Sequence, residues 1–210
     1  MVRLEKDYAF DGPAGRITLL ELFEGRRQLA VYHFMFDPRW EDGCPGCTAV
    51  VDGVAAGWIE HLHSRSTSFA LVSRAPLEQL QGYRAKRGWT LDWYSSHDSD
   101  FNYDFHVTID PAVAPVLFNY RDAGALADSA DSWILDAENH PEELAGLSFF
   151  LRDGDEIFHT YSTFERGTEA LLPAYHLLDL SPLGRQELWE RPEGRAPNAG
   201  PADPTFRSQR

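Results

Sequence analysis

The run Leu29-Ala-Val-Tyr-His-Phe-Met-Phe36 constrains this chain more than any other. It is apolar almost without interruption, as a strand covered on both faces must be. Asp37-Pro38 ends it, and Cys44-Pro-Gly-Cys47 follows. Beyond Cys47, the positions Ala49, Val50, Val51, Val54, Trp58 and Leu62 recur at helical intervals. Ser68-Phe-Ala-Leu-Val-Ser73 reads as a second buried strand. Pro76 suits a first helical turn, and Leu77, Leu80, Tyr83 and Arg84 space as a helix that Gly88 stops. Strand, cysteine pair, helix, strand and helix make a βαβα unit, and hence a parallel sheet.

The flanking segments are less regular. Arg16–Phe23 begins as a strand and ends as a helical turn. Trp89–Phe105, aromatic and rich in Asp and Ser, reads as an ordered loop, with a short strand over Phe105–Ile109. Residues 110–143 show little period and read as an insertion. Leu147–Arg152 and Glu156–Tyr161 flank Asp153-Gly154-Asp155 and form a β-hairpin. Gly167–Leu178 reads as a last helix limited by Pro173, and residues 191–210 as a disordered tail. The expectation is a single domain over residues 1–190.

Cys44 and Cys47 are the only two cysteines among 210 residues. A structural disulfide would close a longer loop, so the pair reads as redox-active or as half of a metal site. Two buried, inert thiols are the plain alternative. At a helix start, the dipole and free N–H groups lower the pKa of Cys44, making it the nucleophile and Cys47 the resolving thiol. Pro45 suits N1, and Gly46 admits close approach by a substrate.

At these residues the chain resembles the thioredoxin-like bacterial family catalogued as domain of unknown function 899. The matching runs are Tyr32–Phe36, Trp40–Cys47, Val72–Leu77, Ser99–Phe105, Phe150–Asp155, His159–Thr163 and Tyr175–Leu180. The resemblance they carry covers roughly residues 10 to 190. The resemblance implies an α/β, thioredoxin-like fold, a central mixed sheet flanked by helices and carrying an insertion. Its overall plan is similar to peroxiredoxins and Sco-type copper chaperones, and it implies a dithiol–disulfide oxidoreductase. One departure stands out. Thioredoxins carry a cis-proline before the strand facing the cysteines, yet no proline lies between Glu143 and Leu147. The platform for an extended peptide is therefore missing, which favours a small-molecule substrate or a metal.

Eight histidines supply further donors. Cys44 and Cys47 with His106 and His159 would make a soft donor set for copper or zinc. This gives the alternative function: a copper-binding protein, either a Sco-like carrier or an oxidase or oxygenase acting on a small aromatic molecule. Trp40, Tyr103 and Phe105 could line a substrate pocket near Cys44, although a plain core explains them equally well. His33 reads as a core histidine, His61 and His63 as solvated residues, and His176 is left without a role. Asp100 and Asp104 could orient a histidine or cap a turn.

Composition narrows the partners. A formal net charge of -14 repels phosphate backbones and anionic lipid, so neither nucleic acid nor membrane is expected. The first ten residues lack the apolar h-region of a secretory signal, and the expected location is cytoplasmic. Gly-x-Gly-x-x-Gly, P-loop and Gly-x-Ser-x-Gly motifs are absent, leaving nucleotide binding and serine hydrolysis without support.

Overall fold

The computed structural model describes residues 1–54, 57–129, 131–138, 141–187 and 190–192. The expected tail therefore lies, from residue 193 on, outside the described residues, as does His140. The main sheet has eight strands: β1 (Val2–Arg3), β2 (Ala9–Gly12), β3 (Gly15–Thr18), β4 (Gln28–His33), β5 (Thr67–Ser73), β6 (Trp93–Ser95), β7 (Gly146–Asp153) and β8 (Glu156–Phe164). Their spatial order is β1-β8-β7-β4-β5-β6-β2-β3. β4, β5 and β6 run parallel, with β7 antiparallel to β4 and β2 antiparallel to β6. This is the mixed sheet expected. The helices are α1 (Pro45–Asp52), α2 (Trp58–His63), α3 (Leu77–Arg87), α4 (Phe101–Asp104), α5 (Ala123–Leu126) and α6 (Pro173–Asp179). None is long and apolar enough to cross a membrane.

The differences from the sequence expectations have local causes. β4 stops at His33, because Phe34 follows β5 by a single backbone bond, its N–H donating to Val72 O at 2.9 Å. Phe34 and Phe36 nevertheless stay buried. The helix expected from Cys47 to Leu62 is two helices, with Gly53 ending α1 and Gly57, at φ 88, starting α2. The aromatic stretch Trp89–Phe105 is not a loop throughout. Trp93–Ser95 is the third parallel strand, and Phe101–Asp104 is α4. Three residues are too few to show a period. Pro173 occupies the first turn of α6, so the last helix begins there and a 3-10 segment, Glu165–Leu171, precedes it.

Alternation along β4 divides the core into two layers. Ala30 and Tyr32 point into one, with Phe34, Phe36, Cys47, Leu71, Leu80, Tyr83, Trp93 and Leu147. Leu29 and Val31 point into the other, with Phe10, Val72, Phe101, Phe105 and Phe150. The insertion has its own small apolar cluster of Ile109, Phe118, Leu126, Ile134 and Leu144.

A buried ionic network ties the insertion to the sheet. Glu143, 1% exposed, pairs with Arg74 and accepts bonds from Thr108 Oγ1 at 3.0 Å and Asn102 Nδ2 at 3.2 Å. Arg74 also pairs with Asp37 at 2.9 Å. Burial pushes the Glu143 carboxyl up to about 6, even against Arg74 and these donors. Asp37 goes the other way. Burial works against its charge, but bonds from Arg39 and the charge of Arg74 hold it below the usual carboxylate range. Arg74→Met leaves Glu143 buried without its cation. At pH 8 it should cost about 3–5 kcal/mol. Near pH 5 the cost should shrink, since Glu143 can take a proton. Urea denaturation of both proteins at the two pH values checks this; equal costs would contradict the assigned protonation.

Candidate functional site

The cysteines stand where the chain leaves β4. Two bonds clamp the start of α1 to that exit: Cys44 N–H donates to Met35 O at 3.1 Å, and Met35 N–H donates to Cys47 Sγ at 3.4 Å. The intervening loop is fixed by Asp37, whose Oδ1 accepts from Arg39 N–H and Nε at 2.7 Å each. Gly43 is required by close packing, because a Cβ there would lie 2.6 Å from Phe34 Cε1. Cys44 is the N-cap of α1 and Pro45 opens its first turn. Thr48 closes that turn, its N–H and Oγ1 donating to Cys44 O at 2.9 and 2.8 Å.

The two thiols are unlike. Cys44 is half-buried, whereas Cys47 is 2% exposed and packs beside Tyr32 and Leu147. The Cys44 thiol is lowered to about 7. The largest cause is the hydrogen bond from the Cys47 thiol, followed by backbone N–H groups of Cys47 and Gly46; burial and the charge of Glu165 oppose it. This is the thiolate stabilisation that a helix start supplies. Cys47 is raised well above the ordinary value, first by burial and then by the neighbouring Cys44. Tyr32, which bonds to Cys47, counters this in part. Cys44, half-buried, is therefore the thiol that ionises first, around neutral pH, and Cys47, in the core, is held in its thiol form.

The other expected site residues divide between the layers. Trp40 packs against the same cluster as Cys44, and its carbonyl accepts from Gln79 Nε2. Phe105 is buried in the opposite layer, stacked with His33 and edge-on to His159. Tyr103 and His106 line a separate cavity of about 200 Å³ with Thr108 and Asp110. The pocket of Trp40, Tyr103 and Phe105 beside Cys44 is thus not formed. Neither is the donor set of Cys44, Cys47, His106 and His159. The sheet stands between His159 and the cysteines, and among the described residues no group of three or more His, Cys, Asp or Glu could hold a metal ion. His61 is exposed on α2. His63 borders a cavity of about 500 Å³ with Val51, Phe69 and Trp89, which no cysteine lines. His176 is exposed on α6.

His33 is a core histidine, as its strand position suggested, but it heads a chain of polar contacts. His33 Nε2 shares a hydrogen bond with Ser148 Oγ, Ser148 with Ser162 Oγ, and Ser162 with His159 Nε2, each at 2.8 Å. The last link reaches half-buried His159. Tyr32 and Glu165 are the residues near the cysteines that sequence reasoning missed. Tyr32 shares the strand parity of Phe34 and Phe36, a signal that could have placed it on the cysteine side. Glu165, at φ 48, has no comparable signal.

Over residues 1–199 the sequence matches the family described as bacterial protein of unknown function (DUF899). The chain belongs to this family. The solved structures similar to this DUF899 protein include peroxiredoxins. A Xanthomonas campestris bacterioferritin comigratory protein, studied for alkyl peroxide reduction, is 14% identical, with a TM-score of 0.50 over 79% of this chain and 88% of its own. A cysteine-to-serine mutant of Xanthomonas campestris peroxiredoxin Q is 15% identical, with a TM-score of 0.50 over 80% of this chain and 90% of its own. At these identities the likeness shows the thioredoxin-like fold alone. No curated protein matches the sequence.

Two measurements test this electrostatic picture. Alkylation of the reduced protein should modify Cys44 first, with a midpoint near pH 7, and leave Cys47 unmodified until the protein unfolds. Cys47→Ala should move the midpoint up, because the largest stabilising bond is gone; an unchanged midpoint would contradict it. The second concerns His33, which burial lowers to about 3, against an ordinary 6.5. Its folded form favours the neutral ring, so its contribution is complete above pH 6.5 and is lost as pH falls below that value. Between pH 7 and pH 5, wild type should lose about 2 kcal/mol more than His33→Asn in urea denaturation.

Proposed function

We propose that this chain is a dithiol–disulfide oxidoreductase acting on small thiol or disulfide substrates. The observation that carries this reading is the asymmetry of the pair. Cys44 is only half-buried and lowered to about 7; Cys47 is buried and raised. Cys44 attacks a substrate disulfide as thiolate, forming a mixed disulfide and releasing one thiolate. Cys47 attacks Cys44 Sγ, closing the Cys44–Cys47 disulfide and releasing the second.

The substrate is small because the ground before β7 lacks a peptide platform. Leu144 and Ala145 stand there in place of a proline, and at Gly146, the first residue of β7, a Cβ would meet Val107 Cγ1 at 2.8 Å. Trp40, Met35, Leu171 and Leu172 pack, as Cys44 does, against the cluster that includes Cys47, which gives the surroundings of Cys44 an apolar character suited to a small substrate. A reducing compartment such as the cytoplasm would return the pair to its dithiol form. The net charge of -14 disfavours nucleic acid and anionic membrane as partners.

The test is reaction of the pre-reduced protein, freed of dithiothreitol, with glutathione disulfide and, separately, with an alkyl hydroperoxide. With the disulfide, wild type should form the intramolecular disulfide, Cys47→Ser should accumulate a mixed disulfide on Cys44, and Cys44→Ser should be inactive. Activity retained in Cys44→Ser would overturn the assignment. Turnover confined to the hydroperoxide would replace disulfide exchange with peroxide reduction at the same thiolate.

A further inference from the structure

The cavity of about 500 Å³ bordered by His63 lies at the end of α1 away from Cys44. A mismatch in strand pairing leaves it open. β5 pairs with β4 from Thr67 on, but with β6 only from Leu71, opposite Trp93. Phe69 and Ala70 therefore have β4 on one side and border the cavity. The loop Gly88–Asp92, which leads from α3 into β6, forms another wall, and Val51, Asp52 and Val54 at the end of α1 a third.

The charge of this wall is one-sided. Among the described residues it carries four carboxylates, Glu24, Asp52, Glu60 and Asp92, one imidazole, His63, and no lysine or arginine. Asp52 is committed to Arg87 and to Trp89 Nε1, which donates to it at 2.9 Å. Glu24 and Asp92 pair with Arg26 and Arg84, neither of which lines the cavity. Tyr94 is the decisive group. It is 8% exposed and lines the cavity, yet its hydroxyl has no hydrogen-bond partner among the described residues. Burial, then the charges of Asp92 and Glu24, hold this hydroxyl above the ordinary phenol value, with Arg84 opposing. A phenol that keeps its proton beside two carboxylates still offers its oxygen to a donor. An unpaired buried hydroxyl in an otherwise satisfied structure calls for an occupant.

We propose that this cavity binds a small organic amine in its ammonium form. The ammonium group donates to Tyr94 Oη and to the carboxylates of Glu24 and Asp92, and the apolar body lies against Phe69, Trp89 and Leu91. The volume falls in the range of small-molecule sites, as does a wall of aromatic and aliphatic groups with a few polar ones. A metal ion fits less well, because the carboxylates are spread around the wall and among the described residues no three donors converge on one point. The sign of the wall disfavours an anion. The site shares no residue with the cysteine pair, so the inference is independent of the dithiol reading.

Titration calorimetry of the full chain with three probes of one shape tests it: phenethylamine, 2-phenylethanol and 3-phenylpropionate, which are cationic, neutral and anionic at pH 7. The amine should bind with about millimolar affinity, as suits so small a probe. The alcohol should bind at least about tenfold more weakly, and the acid not measurably. Tyr94→Phe should weaken the amine about three- to tenfold, and Glu24→Gln combined with Asp92→Asn by about tenfold or more. Cys44→Ser should leave its affinity unchanged. Phenethylamine that fails to bind wild type, or binds no tighter than the alcohol, would overturn the proposal, and that comparison needs no variant to fold. So would wild-type affinity in both cavity variants, which would place the amine on the acidic surface at large, or loss of binding in Cys44→Ser, which would place it at the thiols.

Discussion

Side chains of β4 alternate between two aromatic layers, and that alternation decides which groups can meet. Tyr32 lies with the cysteines, whereas His33, its neighbour, stacks on Phe101 and Phe105 across the sheet. A strand paired on both sides cannot shift by one residue without turning every side chain to the opposite face. β4 is held by β5 in parallel and by β7 in antiparallel register over its full length. Histidine-rich composition therefore does not become a histidine-rich site. His33 and His159 are joined to each other through Ser148 and Ser162, and that chain occupies the Nε2 atom of each ring.

On the cysteine side the same sheet creates a gradient of solvation across one helical turn. Cys44 sits at the N-cap, where water and backbone N–H groups both reach the sulfur. Cys47, one turn in, faces Tyr32 and Leu147. Burial penalises the charged form of Cys47 more than that of Cys44, and the first charge to form then opposes the second. The different acidities of the two thiols follow from their positions.

Much of this was legible in the sequence wherever a period extended over several turns or residues. The β4–α1–β5–α3 unit, the hairpin of β7 and β8, and Cys44 at the helix start were all readable from apolar spacing and turn chemistry. β6 was not, because Trp93–Ser95 is too short to declare itself and its burial depends on β5 and α3 arriving on either side. The placement of Phe105 with His159, and of Tyr103 with His106, was not readable either. A four-residue helix, α4, sends successive aromatic side chains to different compartments, and linear proximity gave no warning. Glu165 was invisible for a different reason: a left-handed backbone at a non-glycine residue leaves no mark on the sequence.

The insertion, finally, is part of what holds the site in shape. Its Glu143 carboxylate binds Arg74, Arg74 binds Asp37, and Asp37 fixes the loop that delivers Cys44 to Met35 O. The charge of Asp131, in the same insertion, adds to the burial that raises the Glu165 carboxyl. A buried charge pair adds little net stability when both partners are present, but it is strict about geometry, since neither member tolerates the loss of the other. One part of the segment thus fixes the backbone before the cysteine pair, and another adds negative charge near Glu165. A bare βαβ unit with a hairpin would supply the two thiols. The insertion supplies the rigidity of the Asp37 loop and part of the field in which Glu165 titrates.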